Sequence, residues 1–420
     1  MDEEAVFSLY FRRLPPGRNF VVACGLSAVL RYLERLSFAP HLETLARLGP
    51  FAEGFLDWLG ELRFAGDVWA VPEGTPVFPE EPLVEVVAPI ATAQVVESFL
   101  MNQVALASVL ASKAARVVTA ADGRPVIDFG LRRMHGADAA LKSARAFHVA
   151  GVAATSNVLA GAVWGVPVAG TMAHSYVQAH DDELAAFRAF AELYPETVLL
   201  VDTYDTLAGV AKVVELAGEL GDDFRVGAIR LDSGDLGELA RASRDMLDRA
   251  GLERVEIFAS GGLDEERIAE LVAAGAPIDG FGVGTDMGVS RDAPSLDLVY
   301  KLTSYAGEGR LKTSPGKRIL PGRKQVFRLE EGGEAVRDVL AVAGEEGPGR
   351  PLLARVMAGG EVTAPEAAEL AASRRRAQHE IALLPARVRS LAPAAPPYPV
   401  ALSEALTALE AEVRGRLEGT

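Results

Sequence analysis

From residue 91 onward, stretches with apolar residues at three- and four-residue spacing alternate with short runs that are apolar throughout. The first period belongs to a helix with one buried face and the second to a strand covered on both sides, so the alternation predicts a parallel sheet of β/α units. Six strands are expected, at 126–129, 166–169, 198–201, 226–230, 255–259 and 278–283. Their regular recurrence favours a β/α barrel, TIM-like and either complete or incomplete, over an open doubly wound sheet. An open sheet of that kind would begin with a glycine-rich dinucleotide loop after its first strand, and this sequence has none.

Before residue 96 the period is shorter. Extended segments at 64–75 and 82–86 are punctuated by turn residues, and helical patterns at 25–36 and 41–59 interrupt them. After residue 305 come the turn-rich 314–317 and 320–324, a linker-like 345–351, a helical pattern at 364–384, a Pro/Ala-rich link at 392–398 and a last amphipathic helix at 403–417. The expected organisation is an N-terminal α+β domain (1–95), a barrel carrying the active site (96–305) and a C-terminal segment (306–420) that returns to the N-terminal domain and ends in helices. A smaller α+β domain built from both chain ends thus accompanies the barrel.

Composition narrows the function. With 49% hydrophobic and 24% charged residues the chain can bury a sizeable interior. A formal net charge of −16 argues against nucleic acid as partner, because phosphate backbones are gripped by basic surfaces. Small anions need only a local basic pocket. Cys24 is the single cysteine, so an internal disulfide and a cysteine-rich metal site are excluded. The N-terminus, Met1-Asp2-Glu3-Glu4, lacks the basic and apolar regions of a secretory signal, and a cytoplasmic protein is expected. Residues 149–173 carry no Asp, Glu, Lys or Arg, but Asn157, Pro167 and repeated glycines argue for a helix turning into a buried strand rather than a membrane span.

In a β/α barrel the loops after the strands build the active site. Here those loops read Asp128-Phe129-Gly130-Leu131-Arg132-Arg133, Gly170-Thr171-Met172-Ala173-His174-Ser175, Asp202-Thr203-Tyr204-Asp205, Arg230-Leu231-Asp232-Ser233-Gly234-Asp235, Ser260-Gly261-Gly262 and Gly282-Val283-Gly284-Thr285-Asp286. The set is suited to anions. Arginine grips carboxylate or phosphate bidentately, backbone N–H groups of glycine turns hold phosphate oxygens, and aspartates hold Mg²⁺ or orient sugar hydroxyls. His174 is the only histidine directly after a predicted strand, and a neutral imidazole is a competent nucleophile or base. A lone histidine is more often a buried structural group; the polar ring around His174 reverses that judgement. His41, His135, His148 and His180 share no metal-like spacing, and the last two are expected on helices. Asp181-Asp182-Glu183 reads as an acid-rich helix start and Arg374-Arg375-Arg376 as a solvated helix face.

These loops resemble those of the nicotinate phosphoribosyltransferases, together with Thr155-Ser156-Asn157-Val158-Leu159-Ala160-Gly161 and Leu320-Pro321-Gly322-Arg323-Lys324, and the resemblance runs from Ala5 to the final helix. It implies a β/α barrel joined to a domain made from both chain ends, in a homodimer with active sites shared between subunits. It also implies condensation of nicotinate with phosphoribosyl pyrophosphate, coupled to ATP hydrolysis and assisted by Mg²⁺. By position, His174 matches the histidine phosphorylated by ATP, and Phe129 the ring that stacks on the pyridine. Thr171 and Arg230 match nicotinate contacts, with Arg132 and Ser175 as further substrate-binding candidates. Ser260, Gly261, Gly284 and Thr285 match phosphate-binding turns, while Asp202 and Asp232 are catalytic candidates for the sugar or Mg²⁺; no metal ligand is assigned.

Relatives begin with a segment whose tyrosine stacks on the pyridine of the neighbouring subunit, and the given sequence starts downstream of it; the alternatives are a true start further upstream, substitution by Tyr10 or another aromatic, and weakened base binding. A nicotinamide or quinolinate phosphoribosyltransferase, or a non-catalytic relative that binds phosphoribosyl pyrophosphate, are the alternatives. Nicotinamide users carry an acid in the segment equivalent to 155–161, where Ser156 and Asn157 stand here. A neutral segment beside Arg230 favours a carboxylate, since an unpaired buried guanidinium is costly.

Overall fold

Six strands pair in parallel in the order Ala154–Thr155, Val126–Asp128, Gly280–Val283, Glu256–Ala259, Ala228–Leu231 and Val198–Leu200. A parallel bridge from Thr155 to Val168 adds a seventh position beyond the first strand. Read as a ring, positions 126, 154, 168, 198, 228, 256 and 280 follow chain order. The ring is open between 168 and 198, where no strand pairing is formed among the described residues. This is a curled parallel half-barrel.

The computed structural model describes residues 3–314 and 317–419; Met1, Asp2 and, from the expected turn at 314–317, Pro315 and Gly316 lie outside the described residues. The chain forms two compact units, residues 113–294 and residues 1–112 with 295–420. The half-barrel makes up the first.

Two details of the half-barrel differ from expectation. Residues 166–169 contribute a single bridge instead of a strand: Pro167 has no N–H to donate, and Val168 is about half exposed. The Pro167 carbonyl still accepts from Thr155 N–H at 3.0 Å. The pair Ala154–Thr155, expected only as part of a motif, is a strand. The interior is filled by Phe129 and Phe258, which lie over Gly282 and Gly280; a Cβ on Gly282 would come within 2.5 Å of the Phe129 ring.

Helix starts fix the lengths of the strand-end loops. Asn157, Asp182, Asp205, Asp235 and Asp264 each cap a following helix, with the side chain accepting a backbone N–H such as Ala208 N at 2.8 Å. The expected helix start at 181–183 is therefore present, with Asp182 as its cap. Residues 202–204, 232–234 and 261–263 are thereby held between a buried strand end and a capped helix. Glu265 ties down the outer layer, accepting from Arg116 Nε at 2.8 Å and pairing with the buried Lys113, which also reaches Asp292 at 2.9 Å.

The two-ended unit is the larger of the two, not the smaller as expected, because the C-terminal segment adds four strands to a sheet shared with the N-terminal segment and forms a second sheet of its own. One is a seven-stranded sheet in which Glu4–Phe11 lies between Leu298–Tyr305 and Val84–Pro89. The other pairs Lys324–Glu331 with Glu334–Val342 and adds Val400–Leu402 in parallel. These strands feed one core that includes Phe7, Leu9, Phe11, Val68, Val86 and Val326, and Glu4–Phe11 is buried on both faces from Ala5 onward. The unit boundary falls at Ser112, not at 95, inside the unbroken helix Glu97–Ala120. The helical pattern at 41–59 is split into Leu42–Leu48 and Glu53–Glu61, since Gly49-Pro50 cannot continue a helix.

Tyr10 does not provide a free aromatic. It is buried in the central strand and donates to the Arg318 carbonyl at 3.2 Å. The arginine run is only partly solvated: Arg375 is exposed, whereas Arg376 reaches inward to the Glu73 carbonyl at 2.6 Å. No helix among the described residues is long and apolar enough to cross a membrane.

Candidate active site

Arg230 organises the open end of the half-barrel. It leaves the strand Ala228–Leu231 with its guanidinium 4.8 Å from the Phe129 ring centroid, and every face of the fork is engaged. Nε donates to Ser260 Oγ at 2.7 Å, Nη1 to Thr171 Oγ1 at 2.8 Å and Nη2 to Asp232 Oδ1 at 2.6 Å. Ser260 Oγ in turn donates to the same Asp232 oxygen at 2.5 Å. Four strand-end loops are thus tied together through one cation. Partial burial pushes the Asp232 carboxyl up, but the Ser260 hydroxyl and the Arg230 guanidinium outweigh it and hold the group below the usual carboxylate value.

His174 opens the short helix His174–Gln178, anchored on either side by the buried Met172 and Val177. Its Nδ1 lies 3.1 Å from Thr203 Oγ1, and its Nε2 faces Asp202 Oδ1 at 4.0 Å and Asp232 Oδ2 at 3.9 Å. Asp202 is held rigidly on its other oxygen, which accepts from Asp232 N at 3.1 Å and Ser233 Oγ at 2.6 Å. Its Oδ1 is buried with no hydrogen-bond partner. A buried carboxylate oxygen without a partner is costly, and this one points towards the imidazole.

The turn that carries Phe129 is set by Asp128. This buried carboxylate accepts from Gly130 N and from Thr155 Oγ1, each at 2.7 Å; burial pushes its pKa up, against both bonds. Thr155 Oγ1 also accepts from Asn157 N at 3.1 Å, which locks the segment after the second strand. Asn157 is spent as a helix cap, so of the two neutral residues expected near the ligand only Ser156 lines the cavity.

The cavity between these loops has a volume of about 470 Å³ and is lined by Phe129, Leu131, Arg132, Ser156, Gly170, Thr171, Met172, Ala173, His174, Ser175, Leu200, Arg230 and Asp232. Seven expected residues therefore meet in one place: His174, Asp232, Phe129, Arg132, Thr171, Ser175 and Arg230. Arg132 and Ser175 are exposed at its rim. Asp202 and Ser260 stand behind the lining and bond to it. Gly261, Gly284 and Thr285 lie outside the lining; Gly261 has φ +91°, and a Cβ there would collide with the Asp232 carbonyl, whereas Gly284 precedes the short helix Thr285–Gly288. Thr203, Asp128 and Thr155 were not singled out by their chemistry. Their roles come from reaching His174 and the Phe129 turn, a signal that a linear sequence does not carry. His180, expected on a helix, follows one and bonds the Tyr176 carbonyl at 2.9 Å.

A second cavity of about 720 Å³ opens where the ring is unpaired, lined by Phe190, Leu193, Tyr194, Pro195, Glu196 and Thr197 with Gly170 and Thr171. Although larger, it holds no charged group besides Glu196, so the chemistry belongs to the smaller cavity.

A curled parallel half-barrel whose strand-end loops converge on a guanidinium, an imidazole and two carboxylates defines an α/β protein that handles small anionic ligands. The family model of the nicotinate phosphoribosyltransferase (NAPRTase) N-terminal domain matches residues 1–105, and that of the nicotinate phosphoribosyltransferase (NAPRTase) family matches residues 125–326. The chain is 56% identical over 415 residues to a nicotinate phosphoribosyltransferase of Mycobacterium tuberculosis, covering 99% of this chain and 90% of that protein. The crystal structure of human nicotinic acid phosphoribosyltransferase superposes with a TM-score of 0.85 at 31% identity, covering 98% of this chain and 96% of that one. Nicotinate-nucleotide pyrophosphorylase from Pyrococcus furiosus superposes with a TM-score of 0.72 at 27% identity, covering 91% and 89%. The chain belongs to the nicotinate phosphoribosyltransferase family.

Proposed function

We propose that the protein converts nicotinate, phosphoribosyl pyrophosphate, ATP and water to nicotinate mononucleotide, pyrophosphate, ADP and phosphate, through a phosphorylated His174, in NAD salvage. The observation that carries this reading is the Arg230 fork over Phe129, bonded to Thr171 and Asp232, with His174 facing both Asp232 and Asp202 beside the same cavity. A pyridine ring fits against Phe129 while its carboxylate meets Arg230 and Thr171. That pocket favours an acid over the corresponding amide, because a carboxylate meets the guanidinium with a charge and an amide only with a dipole.

Glycosyl transfer develops positive charge on the sugar carbon as pyrophosphate departs, and preorganised carboxylates and N–H groups stabilise such a transition state. Asp202 and Asp232 suit the sugar or the cation, and the turns at Ser260-Gly261 and Gly284-Thr285 suit the phosphates. Among the described residues no set of three or more ligating side chains would hold a metal alone. The open oxygens Asp202 Oδ1 and Asp232 Oδ2 nevertheless fit Mg²⁺, whose shell would be completed by substrate oxygens and water. When bound, Mg²⁺ would neutralise the phosphate charge during transfer. The reading includes a homodimer with shared sites, supported by the exposed Val158, Leu159 and Val163 beside Ser156.

Incubation with nicotinate, phosphoribosyl pyrophosphate, Mg²⁺ and ATP is expected to yield mononucleotide, with nicotinamide and quinolinate turned over far more slowly side by side. His174→Ala is expected to abolish ATP hydrolysis and slow nucleotide formation. Full ATPase activity in that variant would remove His174 from its role.

A further inference from the structure

We infer that Thr203 is a positioning residue for His174, and that its hydroxyl selects the tautomer in which Nε2 carries the proton and Nδ1 the lone pair. The inference rests on the role proposed above for His174, and its structural half can be tested without turnover.

A neutral imidazole has one N–H and one lone pair, and the surroundings of each nitrogen decide which is which. At 4.0 and 3.9 Å, Asp202 Oδ1 and Asp232 Oδ2 are too far from Nε2 for direct hydrogen bonds. They are near enough that a lone pair on Nε2 would face two negative groups, one of them a buried oxygen with no other partner. An N–H on Nε2 meets that field favourably. Arg230, the nearby cation, is engaged with Ser260, Thr171 and Asp232 Oδ1 and so offsets part of the Asp232 charge, which leaves the partnerless Asp202 Oδ1 as the main negative group facing Nε2. The proton therefore belongs on Nε2. Nδ1 is left as acceptor, and among the described residues the donor set against it, at 3.1 Å, is the Thr203 hydroxyl.

Thr203 is well placed for such a task. It stands between Asp202, clamped by Asp232 N and Ser233 Oγ, and Asp205, which caps the helix Thr206–Leu220 through Ala208 N. Its backbone is fixed on both sides, while His174 itself is about two-fifths exposed and begins a helix of only five residues. Without the hydroxyl the ring would keep its place in the chain but lose the contact that sets its plane.

The experiment uses full-length protein labelled with ¹⁵N-histidine, without metal or substrate, with His174→Gln assigning the signal. Long-range ¹H–¹⁵N spectra are expected to show His174 protonated on Nε2 and accepting on Nδ1. Thr203→Val, which keeps the shape, should shift this signal towards a tautomer mixture, and Thr203→Ser should restore it. In turnover, Thr203→Val is expected to lower kcat about 10–100-fold with KM for the pyridine acid unchanged, as befits loss of orientation in a general-base or nucleophilic group. Thr203→Ser should recover most of it. A wild-type Nδ1–H signal, or a Thr203→Val protein with unaltered tautomer and kcat, overturns the inference. If the wild type turns over no substrate while the tautomer behaves as described, the functional reading fails and the positioning role stands.

Discussion

Two arginines on strands, Arg230 in the half-barrel and Arg328 in the two-ended unit, show how one side chain serves opposite ends. Arg328 is fully sealed. Its Nε and Nη2 clasp Asp338 at 3.0 and 2.7 Å, Nη1 reaches Glu380 at 3.3 Å, and Tyr398 adds a bond to Asp338 at 3.0 Å. Arg230 is likewise bonded through all three of its nitrogens but faces a cavity, and the carboxylates beside it keep open oxygens. A closed network specifies a structure, whereas one left partly unsatisfied beside a cavity is prepared for a ligand.

The comparison is broken most directly by truncating each arginine. Arg328→Ala leaves the buried Asp338 with only the Tyr398 hydroxyl and Glu380 with only Arg350, and is expected to cost about 3–5 kcal/mol in denaturant unfolding. Arg230→Ala should cost clearly less stability, yet lower kcat/KM for the pyridine acid about 100-fold through loss of a charged contact. Equal stability losses would mean that the two networks do not differ in kind.

A smaller effect sharpens the role of the barrel interior. Gly282→Ala places a methyl 2.5 Å from the Phe129 ring, and overpacking of this sort costs about 1–3 kcal/mol. The displaced ring should raise KM for the pyridine acid with little change in kcat. An unchanged KM would separate Phe129 from base binding.

The smallest effect is on acid stability. The folded Asp232 carboxyl titrates below its unfolded value, so at low pH the unfolded chain binds the extra proton first. The stabilisation is complete above the unfolded carboxylate range near pH 4 and is lost as pH falls through the lower folded value. Asp232→Asn should flatten that part of the stability curve, and an unchanged acid limb would count against the Ser260 and Arg230 contacts as its cause.

Much of this molecule could be read from residues in order. The spacing of apolar runs placed five of the six paired strands of the half-barrel and the loops after them, because a strand buried on both faces must be apolar along its length. It overestimated 166–169, where Pro167 removes a ladder donor, and passed over Ala154–Thr155, since two residues are too few to show a period. It also could not see that Tyr10 faces inward or that Asn157 is consumed as a cap, both of which depend on what lies across the chain.

By itself, the sequence determined the class of fold and the chemical character of the site, because periodicity and strand-end residue types are local properties, and the resemblance of its loop motifs pointed to the family. Only the tertiary structure decided where the ring stays open, which of the candidates share one cavity, and that Thr203, Asp128 and Thr155 hold the others in place. The His174–Thr203 and Asp128–Thr155 contacts join residues 29 and 27 positions apart through single hydrogen bonds, and such pairings exist only once the strands have curled towards one another.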